Sequence, residues 1–146
     1  MSAAIQQMKE VWERFGRATP YNAAIGMDLV MAPWGPWSLR LPYRAEFVGD
    51  PESGVLHGGM ISALLDVTCA FAVFSRLEAL KVMATLDLRI DYLRPATPGK
   101  EVFALATCHK ITSDLAFVRG AVHHDVTDDL IATGVGIYIF TEEAAA

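Results

Sequence analysis

Cysteine is nearly absent from this chain, with two in 146 residues. Cys69 and Cys108 lie in apolar strings, and neither has a neighbour at the spacing of a zinc site or a redox pair, so both read as small core side chains. A disulfide framework is excluded. Long apolar runs are missing too: no stretch reaches the roughly 18 uncharged residues that a membrane-spanning helix needs. Charge is never concentrated. The 12 basic and 17 acidic residues give a net −5 without runs, which argues against a nucleic-acid partner and against a polybasic membrane footprint. The first 17 residues lack a continuous apolar core and include Glu10 and Glu13, which suits neither a secretory signal nor an acid-poor transit peptide, so a cytoplasmic location is expected. No Gly-x-Ser-x-Gly elbow and no phosphate-binding glycine loop is present.

What the chain has in surplus is apolar surface. At 53% hydrophobic residues it exceeds a typical soluble domain, which points to subunit interfaces or a greasy pocket. The length suits one domain over residues 1–146 with one core.

Ile5, Met8, Trp12 and Phe15 recur at helical spacing among charged residues, predicting an amphipathic helix over residues 2–17 that ends near Gly16 and straps residues 1–20 onto the domain. Residues 25–32 and 37–42 read as a hairpin turned at Pro33-Trp34-Gly35-Pro36, with Trp34 and Trp37 as packing residues. Residues 43–56 lose periodicity and form an irregular loop. From Gly58 to Leu77 the pattern is helical and apolar on nearly every face, so other structure must wrap it. Val82, Ala84, Leu86, Leu88, Ile90 and Tyr92 then alternate with polar neighbours, the two-residue period of a strand, which Pro95 stops. Further strands are predicted over 101–112, 115–126 and 130–140. The resulting class is α+β: a long antiparallel curved sheet wrapped around one central buried helix, the outline of the hotdog fold, with an extra N-terminal amphipathic helix.

Chemistry concentrates at the start of the apolar helix. Gly58 and Gly59 occupy its first turn, where unpaired backbone N–H groups and the helix dipole suit an oxyanion. Asp66 is the only charged residue between His57 and Arg76. A carboxylate among Leu64, Leu65 and Val67 must be compensated by hydrogen bonds or used as a base or nucleophile. His57, just before the helix, either fixes the loop or transfers protons. His109, His123 and His124 lie on predicted strands, the adjacent pair facing opposite ways, and no metal site is expected.

On these residues the chain resembles the PaaI-type acyl-CoA thioesterases of the hotdog superfamily from about Tyr21 onward. Gly54, His57-Gly58-Gly59 and an acid nine residues after the histidine (66 − 57 = 9) match the family pattern, as does the segment from Asp87 to Ala96. The resemblance implies that a Gly58 or Gly59 amide binds the thioester oxygen while Asp66 activates water or attacks the carbonyl. It implies that Thr85 helps place the nucleophile, that Tyr92, Arg94 and Ser113 receive coenzyme A, and that Lys110 meets a phosphate. Coenzyme A is then part of the substrate, and no separate cofactor is needed. One departure is Asp50, where many relatives carry an asparagine that donates to the substrate; an ionised aspartate cannot donate. The alternatives are a non-catalytic acyl-CoA-binding module and a hotdog hydratase or dehydratase. Ala63 and Ala70 leave room along the helix, and Phe71 and Phe74 are candidate pocket walls.

Geometry adds an expectation about assembly. Gly58 and Asp66 are eight residues apart, about 12 Å along a helix and about 80° around it, too far for one carbonyl to touch both. Two such helices running antiparallel across a two-fold axis close the gap, so a homodimer with composite sites is expected. The resemblance adds a dimer of dimers, a homotetramer.

Overall fold

The structure is a computed structural model that describes residues 2–32, 35–125 and 127–141. Pro33, Trp34 and Val126 lie outside the described residues, and with them part of the expected hairpin turn and the expected end of the third strand.

The expected continuous N-terminal helix is divided. Helix α1 (Ala3–Val11) begins at Ser2, whose hydroxyl accepts from the Ile5 amide, and passes into a wider π-helical turn over Trp12–Arg17. Gly16 lies inside that turn instead of ending a helix. The Trp12 ring covers it so closely that a Cβ there would sit 2.0 Å from the indole, so only glycine fits. Helix α2 (Pro20–Ala24) follows, and the buried Asn22 amide donates to the Gly16 carbonyl at 3.1 Å, tying the segment together. Buried Met8, Val11 and Trp12 supply its inner face.

The sheet comprises β1 (Asp28–Ala32), β2 (Gly35–Leu41), β5 (Met83–Tyr92), β6 (Val102–Ile111), β7 (Leu115–His123) and β8 (Ala132–Phe140), all antiparallel in the order β1-β2-β6-β7-β8-β5. The stretch expected to be irregular over 43–56 contains a 3₁₀ turn at Ala45–Phe47 and a two-stranded ribbon of β3 (Val48–Asp50) and β4 (Val55–Leu56). Strand β7 stops at His123, short of the expected 126. His123 and His124 are both buried, and His124 joins the Glu101 carbonyl and the Thr97 amide through its two ring nitrogens.

Helix α3 (Gly58–Phe74) lies in the hollow of this sheet, against β2, β5, β6, β7 and β8. Leu64, Leu65, Cys69 and Val73 are fully buried. The approach to β7 is close, since a Cβ on Gly120 would come within 2.9 Å of the Leu65 side chain. The helix is not wrapped on every side as its sequence suggests. Ser62, Ala63, Asp66, Val67 and Ala70, spaced along one stripe, are only half-buried by the chain itself.

Strand β5 departs from its predicted alternation. A bulge between Thr85 and Asp87 leaves Leu86 without a partner on β8 and inverts the phase of the side chains. Val82 and Leu86, expected on the inner face, are 51% and 57% exposed, while Leu88 and Ile90 turn partly inward. Thr85, counted on the polar face, points to α3. Because β5 is the last strand in the order, its outer edge has no partner strand among the described residues.

Candidate active site

The first turn of α3 is organised by His57. Its Nδ1 accepts the Gly59 N–H at 2.8 Å and its backbone N–H donates to the Phe47 carbonyl at 2.8 Å, which links the helix start to the 3₁₀ turn that leads into β3. An accepting Nδ1 places the proton of the neutral ring on Nε2. His57 is thus a helix cap, and it consumes the Gly59 amide that was a candidate oxyanion donor. The Gly58 amide, first in the helix, has no acceptor within the helix itself. The Tyr92 and Ser62 hydroxyls meet over the Gly58 carbonyl, each 3.2 Å from it, and hold this turn from the other side. A Cβ on Gly58 would make only ordinary contact with the Tyr92 ring, at 3.6 Å, so the chain itself does not require glycine there.

Two turns on, Asp66 is held by hydroxyls. Thr85 donates to Oδ1 at 2.7 Å, and the Tyr138 hydroxyl lies 3.1 Å from the same oxygen and 2.8 Å from the Asp66 carbonyl. Tyr138 is 1% exposed, and burial, aided by neighbouring acidic groups, pushes its ionisation above the ordinary phenol value, so it remains a donor. Its ring lies over Gly136, where a Cβ would stand 3.0 Å away. Sequence reasoning missed Tyr138. The available signal was a lone tyrosine among inward-facing residues of a strand, because a buried phenol needs a partner. Asp66 is on the stripe of α3 that its own chain leaves half-open, and the Thr85 and Tyr138 hydroxyls supply the hydrogen bonds expected for a carboxylate among apolar neighbours. Cys69 is not a rival nucleophile, since burial and then the Asp66 charge push its thiol up to about 12.

Asp66, Thr85 and Tyr138 line a cavity of about 710 Å³ whose other walls include Val67, Ala70, Phe71 and Phe74 of α3, Val82 and Met83, and Phe15 of the strap. Phe71 and Phe74 were foreseen as pocket walls and Ala63 and Ala70 as leaving room; Ala70 lines the cavity with the two rings, and Ala63 is not among the lining residues. The remaining candidates are dispersed. The Arg94 guanidinium binds Asp129 Oδ1 at 3.0 Å and the carbonyls of Asp129 and Pro95. Lys110 and Ser113 are exposed at the β6–β7 hairpin. Asp50 accepts from the Ser53 hydroxyl at 2.6 Å and the Glu52 amide at 3.1 Å, bonds that hold its carboxyl below the ordinary value and order the loop. Among the described residues no cluster of metal-ligating side chains occurs and no helix is long and apolar enough to cross a membrane.

A curved antiparallel sheet around a single helix, with a carboxylate on the helix facing a cavity, defines a hotdog-fold protein. Residues 53–131 match the model of the Thioesterase superfamily, and the chain belongs to that family. The Medium/long-chain acyl-CoA thioesterase YigI of Escherichia coli K12 is 31% identical over 141 residues, an alignment spanning 86% of this chain and 90% of YigI. A Pseudomonas aeruginosa protein of known crystal structure is 37% identical, with a TM-score of 0.80 over 92% of this chain and 99% of its own. PaaI of E. coli superposes with a TM-score of 0.80 over 96% of this chain and 97% of its own at 15% identity, a likeness of fold alone.

Proposed function

We propose that the protein hydrolyses acyl-coenzyme A thioesters. The observation that carries this reading is Asp66 Oδ1, tethered by Thr85 and placed beside Tyr138 at the wall of a largely apolar cavity. Family membership and the acyl-CoA thioesterase activity of YigI support it.

In the proposed reaction the acyl group enters the cavity and the thioester carbonyl lies beside Asp66. Asp66 takes a proton from water as the water oxygen attacks the carbonyl carbon, or attacks that carbon itself to form an anhydride that water then opens. In either route the C–S bond breaks; the leaving thiolate takes the proton held by Asp66 in the first and a proton of the water that opens the anhydride in the second. A backbone N–H must meet the developing oxyanion. With Gly59 N–H committed to His57, the Gly58 amide is the donor, and it belongs to a second subunit, because Gly58 and Asp66 of one helix are about 12 Å apart. Ser62 and Ala63 on the half-open stripe of α3, which do not line the cavity, and the outer edge of β5 are the surfaces for that dimer. Arg94, Lys110, Ser113 and Tyr92 remain the proposed contacts for coenzyme A, and Asp50 the residue that shapes the adjoining loop.

Asp66→Asn tests the reading. It should lower kcat at least about a thousandfold while leaving the melting temperature and KM close to wild type, because a carboxylate used in the transition state adds little to ground-state binding. Thiol release from phenylacetyl-, hydroxybenzoyl- and straight-chain acyl-CoAs is the assay. Wild-type protein that releases no thiol above background, or an asparagine variant that keeps its rate, sinks the proposal and favours the binding-module alternative.

A further inference from the structure

The cavity beside Asp66 has a far end, and the N-terminal strap builds it. Along α3, Phe74 lies eight residues beyond Asp66, about 12 Å at the rise of a helix. Along the facing chain, Val82 lies three residues before Thr85, about 10 Å at the rise of a strand. Both walls run away from the carboxylate, and both line the same cavity. At that distance the strap crosses: the Phe15 ring stands 5.9 Å from the Phe74 ring, and the Arg14 guanidinium, which also lines the cavity, lies 5.0 Å from the centre of the Phe15 ring. Phe74 in turn packs edge-on to Phe71 at 5.3 Å, and Phe71 meets the buried Trp12 at 5.1 Å. Four rings in series, Trp12, Phe71, Phe74 and Phe15, thus join strap to helix. The π-helical turn that seats Trp12 against Gly16 also sets Phe15 at the end of this series.

Building on the thioesterase reading, we propose that Phe15 and Phe74 are specificity-determining residues that end the acyl site, and that the substrate is a straight-chain, medium-length acyl-CoA of about eight to ten carbons. The length follows from the depth. An extended chain with C–C bonds of about 1.5 Å at near-tetrahedral angles advances about 1.3 Å per carbon, so about nine carbons span 12 Å. Much of the wall agrees: Val67, Ala70, Phe71, Leu80, Val82 and Met83 are apolar, and the hydrogen-bonding side chains that line it besides Asp66, Thr85 and Tyr138 are Arg14, Thr19, Asn22 and Lys81. Ala70, one turn past Asp66, keeps the middle of the channel open.

The test is a ladder of straight-chain acyl-CoAs from four to sixteen carbons, read as kcat/KM, beside a matching ladder of S-alkyl coenzyme A thioethers read as affinity by calorimetry. In wild type both should climb roughly fourfold per methylene, as burial of each CH₂ predicts, and stop climbing near ten carbons. Phe15→Ala, at a residue 38% exposed and tolerant of truncation, should move the break to longer chains and raise kcat/KM for fourteen and sixteen carbons at least tenfold. Ala70→Leu should do the opposite, lowering the ten-carbon substrate at least tenfold and sparing the four-carbon one. A wild-type ladder without a break, an aryl thioester preferred over every straight chain, or a break unmoved in both variants overturns the proposal. The thioether ladder separates this from the activity: a break that moves as expected in protein that hydrolyses nothing supports the channel and defeats only the catalytic reading.

Discussion

Thr85 and Tyr138 are partners across the β5–β8 ladder, and both of their hydroxyls reach one carboxylate oxygen, Oδ1 of Asp66. Ladder partners on regular strands put their side chains on the same face, so the pair works as a two-pronged clamp. The bulge immediately after Thr85 keeps it in phase with Tyr138 while the rest of β5 turns over.

The clamp predicts a specific kinetic signature. Tyr138→Phe keeps the ring over Gly136 and removes only the hydroxyl, and Thr85→Val keeps the shape of its side chain. Each should reduce kcat about tenfold with KM within about twofold, since one hydrogen bond contributes about 1 to 1.5 kcal/mol. If the two act on the same carboxylate orientation, the double variant should lose less than the product of the singles. Steady-state kinetics beside thermal melts read this out. Wild-type kcat in either single variant removes that residue from the placement of Asp66.

Of this clamp, the resemblance supplied Thr85 as a partner of Asp66, and Tyr138 was not read in the sequence. The long strands were legible because each has one dominant period, the central helix because its apolar run is too long for a strand, and the His57-Gly58-Gly59 and Asp66 spacing marked the site. The bulge at Leu86 was hidden because unbroken alternation from Val82 to Tyr92 fits a flat strand as well as a bulged one; only pairing with β8 exposes it. The π-helical turn was hidden for a similar reason, as its cause is the Trp12 ring lying on Gly16. Gly59 as an oxyanion donor was a fair expectation for a helix start, and it fails because His57 is near enough to take the amide.

Cys69 predicts the alkaline limit of stability. Its thiol is raised in the folded protein from 9.0 to about 12, chiefly by burial. The folded state therefore holds a proton that the unfolded chain releases above pH 9, so the associated stability is fully present below pH 9 and falls as pH rises to about 12. At about 1.4 kcal/mol per pH unit the loss reaches about 4 kcal/mol across that window. Urea midpoints measured from pH 8 to 11 should fall steeply in wild type and less in Cys69→Ala. Parallel slopes would mean that other groups set the limit.

Arg94 is anchored to Asp129 while half-buried, which presents a formed cation at the exit from β5. Arg94→Ala should raise KM for acyl-CoA about tenfold and leave kcat within twofold, because a phosphate contact remote from the carbonyl supplies uniform binding. Arg94→Lys should recover only part of the loss, as an ammonium lacks the fork that holds Asp129 and a phosphate together. An effect confined to kcat would place Arg94 outside coenzyme A recognition.

The composite site can be tested by complementation. Asp66→Asn removes the carboxylate and Gly58→Val blocks the approach to the first helical amide, yet the Gly58 position is exposed and its new side chain would touch only the Tyr92 ring in the same chain. Each variant alone should fold, dimerise and remain inactive. When the two are unfolded together and refolded, random pairing makes half of the dimers mixed. In each mixed dimer the two-fold axis assigns both lesions to one site and neither to the other, so half of those sites work and activity returns to about a quarter of wild type. If Gly58 and Asp66 acted within one chain, every site in a mixed dimer would carry one lesion and none would work. Verified mixed dimers without activity would therefore return the oxyanion to a donor on the same chain as Asp66, and Gly58 would lose the role assigned to it.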